Sequence, residues 1–118
     1  MSTFSVALEV GHLTEERFEA VEALVDTGAS HSTFPGPLLD RLGIERTERW
    51  PFRLADDRQR EYDVGTARIR LDGLLRYTVV VFADPGTQPI LGAITLEELG
   101  LGVDPVGRRL IPVPGLLM

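Results

Sequence analysis

Ala23-Leu24-Val25-Asp26-Thr27-Gly28-Ala29-Ser30 is the stretch on which the chain turns. An apolar run climbs to one acidic residue and then breaks at a glycine. Desolvating an unpaired carboxylate is costly, so a buried strand that ends on one must supply partners for it. Gly28 lets the backbone turn sharply and brings amide groups close to the acid. Thr27 adds a hydroxyl. Asp and Gly are also common in ordinary strand-end turns, so Asp26-Thr27-Gly28 alone leaves both meanings open.

The flanks place this turn in a β-rich chain. Phe4, Val6, Leu8 and Val10 alternate with smaller or polar residues, the period of a half-buried strand that Gly11-His12 ends. Ala20 to Val25 reads as the second strand, delivering Asp26. Beyond Ser30-His31-Ser32-Thr33-Phe34, the run Pro35-Gly36-Pro37 introduces a short helix to Leu42. Proline fits its first turn and Gly43 fits a left-handed stop. Trp50 to Thr66 reads as a long hairpin with the polar tip Ala55-Asp56-Asp57-Arg58-Gln59. Ala67, Ile69 and Leu71 alternate with Arg68 and Arg70, which gives the return strand one wet face. Asp72-Gly73 is a two-residue hairpin signal. Val79-Val80-Val81-Phe82 reads as a strand covered on both faces. A second helix, Ala93 to Leu99, stops at Gly100. Val103 to Ile111 forms a last hairpin, and Pro112 and Pro114 confine the tail to a sheet edge or an irregular path.

Composition narrows the class. At 118 residues, 43% hydrophobic and 25% charged, the chain reads as a single domain over residues 1–118 with a core of its own. A net charge of -6 argues against a nucleic-acid partner, which calls for a basic surface. With no cysteine there is neither a disulfide framework nor a thiolate metal site. Met1-Ser2-Thr3-Phe4-Ser5 has no basic n-region, and no window is apolar enough to span a membrane. A soluble, cytoplasmic protein is the expectation.

The chain also echoes itself. Leu24-Val25-Asp26-Thr27-Gly28-Ala29 precedes Leu39-Asp40-Arg41-Leu42-Gly43-Ile44, while Ile90-Leu91-Gly92-Ala93 precedes Leu96-Glu97-Glu98-Leu99-Gly100-Leu101. Each half has an apolar break at glycine, then Leu-x-x-Leu-Gly-apolar, which suggests two related structural halves. Only the first break carries a carboxylate.

In this combination the chain resembles the retropepsin-like aspartic proteases, the single-domain group that includes retroviral proteases and small prokaryotic relatives. The residues that carry the resemblance are Val25-Asp26-Thr27-Gly28-Ala29-Ser30, the hairpin after them, and Ile90-Leu91-Gly92 followed by a helix. Gly100 to Val113 is similar to the small prokaryotic members in particular. The resemblance implies an all-β fold, a closed barrel with a flap hairpin and two short helices. It implies a homodimeric aspartic endopeptidase acting on protein or peptide substrates without a cofactor. Asp26 would be catalytic and Thr27, Gly28 and Ala29 supporting. Leu54, Ala55, Asp56, Asp57 and Arg58 on the flap, with Ile90 and Leu91, would bind substrate.

The chemistry also asks for two chains. Amide hydrolysis needs one group to take a proton from water and another to give one to the substrate, and one chain offers a single carboxylate at its breaks. A twofold axis beside Asp26 supplies the second. Two charges roughly 3 Å apart at an effective dielectric of about 20 repel by about 5 kcal/mol. The pair therefore shares one proton, a general property of aspartic-protease dyads. Thr27 would bond across the axis. Ala29 leaves the anion one hydroxyl donor short of the serine found in pepsin-like relatives, which suits work nearer neutral pH.

The flap tip departs from the glycine-rich retroviral pattern: Ala55-Asp56-Asp57-Arg58-Gln59 has no glycine and three charges. The alternative is therefore a catalytically weak or inactive retropepsin-like module for dimerisation or peptide binding. Trp50 and Tyr62 read as packing or pocket-lining residues. His12 and His31 lack metal-ligand spacing, so no metal is expected, and His31 reads as a spectator. Arg53, Arg58, Arg60, Arg68, Arg70 and Arg76 read as solvated hairpin residues.

Overall fold

A computed structural model describes residues 3–117. Met1, Ser2 and Met118 lie outside the described residues, and with them the start of the stretch read for a leader. In chain order the elements are β1 (Phe4–Gly11), β2 (Phe18–Val25), β3 (Ser32–Pro35), α1 (Gly36–Arg41), β4 (Glu48–Arg53), β5 (Gln59–Leu71) and β6 (Leu74–Ala83). They continue with β7 (Ile90–Leu91), α2 (Ala93–Leu99), β8 (Leu101–Asp104) and β9 (Arg109–Pro112). The main sheet runs β1-β2-β7-β3-β6-β5-β4, and β5 also pairs with β1 through Glu9↔Arg70, Val10↔Ile69 and Gly11↔Arg68. Six strands thus return on themselves, leaving β4 as a branch on β5. β8 and β9 form a separate two-stranded sheet.

Alternation decides what faces inward. Leu8 and Val10 of β1, Ala67, Ile69 and Leu71 of β5, and Val80 and Phe82 of β6 enclose one core with Phe34, Leu39, Leu91 and Leu96. Each large apolar side chain removed from water there contributes about 2 kcal/mol. Both helices end at a glycine with positive φ, Gly43 at 74° and Gly100 at 71°, where a side chain would be strained. Asp72 and Gly73, at φ 50° and 80°, make the turn that the dipeptide announces.

β5 does two jobs. Residues 64–71 pair with β6 and residues 59–64 pair with β4, so the same strand runs from the core out into the flap hairpin. The tip closes through Asp57 N donating to the Leu54 carbonyl at 2.9 Å and Leu54 N to the Arg58 carbonyl at 2.7 Å. Asp57 sits at φ 71°. Aspartate tolerates the left-handed region better than most residues, so a tip without glycine still turns. On one face of the hairpin Trp50 and Phe52 meet the His31 ring edge-on, with centroids 5.5 and 5.4 Å away.

One strand has no counterpart in the sequence pattern, and one expectation changes. Ser32–Pro35 is a strand, parallel to β6 and antiparallel to β7, although its residues carry no apolar alternation. Arg68 is not on a wet face. It is 7% exposed. Its Nε donates to the His12 carbonyl at 2.7 Å, and a second nitrogen donates to the Glu15 carbonyl. The Phe18 ring lies under both Arg68 and Arg70, at 4.8 and 3.9 Å. The loop between β1 and β2 folds over the strand and uses the guanidinium as its donor.

Replacing Arg68 by Leu removes the donor to the His12 carbonyl and leaves the Glu15 carbonyl with only the Arg17 amide. Urea unfolding is expected to show a loss of about 2 kcal/mol, whereas Arg53→Leu at the exposed flap stays within about 0.5 kcal/mol. Burial lowers the His31 pKa from its ordinary 6.5, with the Glu98 charge opposing weakly. The folded chain thus favours neutral His31 and binds fewer protons than the unfolded chain. This part of the stability is complete above pH 6.5 and is lost as pH falls through the lowered folded value. Unfolding between about pH 7 and pH 5 should show this loss, and His31→Phe should remove it.

Candidate active site

The turn after β2 is fixed from three sides. The Asp26 amide donates to the Leu91 carbonyl at 3.1 Å, and its own carbonyl accepts from Ala29 N at 3.2 Å. The Asp26 carboxylate accepts from the Gly28 amide at 2.9 Å. A Cβ on Gly28 would stand 3.2 Å from that carboxylate oxygen, so glycine allows the close approach. Asp26 is half-buried at the end of an apolar strand, with Thr27 and Gly28 exposed beside it.

The second glycine break locks onto the first. β7 pairs in parallel with β2, Leu24 opposite Ile90 and Val25 opposite Leu91. The start of α2 then returns to the turn: Ala93 N donates to the Ala29 carbonyl at 2.8 Å and Ile94 N to the Ser30 carbonyl at 3.0 Å. At Gly92 a Cβ would stand 2.5 Å from the His31 carbonyl carbon, which explains the second glycine as a crossing point of two backbones. The echo in the sequence is thus a contact in space.

Of the residues expected to meet substrate, Ile90 is half-buried and Leu54 partly covered, while Ala55, Asp56, Asp57 and Arg58 are exposed at the tip. Leu91 is fully buried in the core. Its side chain packs inward, so a contact with substrate is not available to it; its carbonyl instead holds the Asp26 amide. The tip residues bind one another: the Asp56 carboxylate accepts from Arg58 Nε at 2.6 Å and from the Arg58 amide at 3.1 Å.

His31 lies beside the site and not on the open surface. It is half-buried under the flap, and its Nδ1 shares a hydrogen bond with Ser30 Oγ at 2.8 Å. Trp50 and Tyr62 belong to the same aromatic row, linked through Phe52 at 6.2 Å from each. Arginines tie the flap to the body. Arg60 makes a bidentate pair with Asp84 at 2.8 and 2.9 Å, and Arg46 joins Asp40 of the first helix to Asp63 of β5 at 2.7 and 2.8 Å. These hydrogen bonds hold Asp84 and Asp63 below the usual carboxylate range. Asp26 differs from both: the partner of its carboxylate is an amide, not a guanidinium. Among the described residues no three His, Cys, Asp or Glu side chains converge as a metal site.

Sequence reading missed Ser32, Thr78 and Thr95, all buried and hydrogen-bonded to one another beneath the Asp26 turn. Only a polar residue at an inward-facing position of a strand (Ser32, Thr78) or of the second helix (Thr95) signals them.

Among solved structures, the fold is similar to EIAV protease complexed with the inhibitor HBY-793. That match has a TM-score of 0.63 and 20% identity, and covers 84% of this chain and 89% of that one. It is also similar to the retroviral protease-like domain of Ddi1 from Leishmania major, with a TM-score of 0.60 and 17% identity, covering 95% and 89%. No curated protein sequence matches the chain. The family described as "gag-polyprotein putative aspartyl protease" matches residues 17–98, a span that holds the Asp26 turn, the flap, the Leu91 carbonyl and most of the second helix. The chain therefore belongs to the retropepsin-like aspartic protease family.

Proposed function

We propose that the chain is an aspartic endopeptidase that works as a homodimer, with Asp26 of each copy forming the catalytic dyad. The observation that carries this is the Asp26 carboxylate itself. It stands half-buried on a turn locked by Leu91 and Ala29, bonded to an amide, whereas Asp63 and Asp84 are bonded to arginines. One carboxylate of the pair takes a proton from water as the water attacks the peptide carbonyl, and the other gives its proton to the carbonyl oxygen. Thr27 bonds across the axis, and Gly28 holds the anion. The flap lies over an extended substrate, which pairs its backbone with the flap strands.

Support for the dimer comes from the C-terminal hairpin as well. β8–β9 packs on the core through Leu101, Val103 and Leu110 but, among the described residues, pairs with no strand of the main sheet, and Pro112 and Val113 of the apolar run Leu110-Ile111-Pro112-Val113 are exposed. A second copy would extend it and bring the two turns together. The alternative, a peptide-binding or dimerisation module with little catalysis, draws on the charged flap tip, which is closed by its own ion pairs.

A peptide-library digest separates the two. Wild type is expected to cleave, and Asp26→Asn to lose about 10³-fold in kcat/KM. Equal cleavage by both sinks the dyad, and binding without cleavage by either supports the module. Because Ala29 gives the anion no hydroxyl donor, the pH–rate optimum is expected above about pH 4. Sedimentation should show a dimer at working concentration; a monomer that still cleaves peptides contradicts the shared site.

A further inference from the structure

A chain of buried hydroxyls runs beneath the Asp26 turn, and the groups at its two ends fix its direction. The Gly92 amide donates to Ser32 Oγ at 3.0 Å. Ser32 Oγ donates to Thr95 Oγ1 at 2.6 Å. Thr95 and Thr78 hydroxyls are 2.9 Å apart, and Thr78 Oγ1 donates to a Glu98 carboxylate oxygen at 2.7 Å. A carboxylate only accepts and each hydroxyl has one proton. Thr78 therefore spends its proton on Glu98, Thr95 donates to Thr78, and Ser32 donates to Thr95. Ser32 and Thr95 are fully buried and Thr78 is 2% exposed, so water does not compete. Every bond points the same way, from a backbone amide to an anion on the outer side of α2, and bonds so aligned polarise one another.

The amide at the head of this chain belongs to the Leu91–Gly92 peptide. The carbonyl of that same peptide accepts the Asp26 amide at 3.1 Å. Donation by this N–H to Ser32 lets the nitrogen lone pair delocalise further into the carbonyl, whose oxygen becomes a stronger acceptor for the Asp26 amide. We propose that Ser32, Thr95, Thr78 and Glu98 are positioning residues that fix the Asp26 backbone through the Leu91–Gly92 peptide. This rests on Asp26 being the catalytic acid. At the far end Arg76 Nε donates to the Glu98 backbone carbonyl at 2.7 Å, and the Glu98 charge acts on the His31 ring. A carboxylate at this end thus serves as the terminal acceptor, not as a second catalytic group. In a symmetric dimer each copy steadies its own half of the dyad, so slackening the relay acts on the aligned transition state more than on substrate binding.

The test compares Thr95→Val, which keeps shape but removes the hydroxyl, with Thr95→Ser, which restores it. Two readouts are needed: peptide hydrolysis, and hydrogen exchange of the Gly92 and Asp26 amides in the intact chain. Thr95→Val should lower kcat about tenfold with KM within about twofold, and speed exchange of both amides about tenfold. Thr95→Ser should stay within about twofold of wild type in each. Wild-type kcat and exchange in Thr95→Val overturn the proposal, as does an equal loss in both variants that tracks global melting. Should Thr95→Val fail to fold, Glu98→Gln at the exposed end takes its place: about threefold lower kcat and faster exchange are expected, and unchanged values overturn the relay. Absence of cleavage by wild type defeats the protease proposal alone, because amide exchange still decides whether the relay holds the turn.

Discussion

The Leu91–Gly92 peptide is the joint on which this structure depends. Its carbonyl takes the amide of Asp26, its N–H goes to Ser32, and a backbone passes so close to its Cα that only glycine fits. An unmade bond at such a buried peptide costs more than the bond gains when made. That asymmetry forces β2, β3 and the entry to α2 to share one geometry. The acidic turn is therefore not a loop resting on the fold. It is set into it from both halves.

Around this joint the fold divides its tasks. The strands that close through β1 and β5 bury the apolar residues and supply rigidity. β5 then leaves the core and becomes one arm of the β4–β5 hairpin, so the hairpin is continuous with the core. Its root is tied down by charge, with Arg46 and Arg60 reaching carboxylates on other elements, and by aromatic contact, with Trp50 and Phe52 on His31. Exposed ion pairs are individually weak. Placed at the flap root, they set the arm's direction more than they add to stability. The tip, closed by Asp56 and Asp57 where the retroviral pattern has glycines, is held by its own local bonds.

Two relations were legible in the sequence only as hints. The repeat of an apolar-Gly-Ala break pointed to two related halves, and the halves meet in parallel at Leu24–Ile90 and Val25–Leu91. The alternation around Arg68 and Arg70 pointed to a wet face, yet Arg68 is covered. Period-two patterning records which side a residue faces, not whether a distant loop with free carbonyls folds over that side. Leu91 shows the same limit: nearness to the site in sequence said nothing of which way its side chain points.

The sequence by itself determined the local elements. Gly43, Gly100 and Asp72-Gly73 end helices and strands where left-handed backbone is needed, and Asp26-Thr27-Gly28 makes the acidic turn, because these depend on φ, ψ and neighbours a few residues away. Tertiary structure alone decided the strand at Ser32–Pro35, the burial of Arg68, the place of His31 under the flap, and the hydroxyl chain from Ser32 to Glu98. Each of those joins residues 17 to 63 positions apart, and a hydroxyl or guanidinium carries no mark of its partner in its own neighbourhood. Its partner is chosen when packing removes water and leaves one donor facing one acceptor.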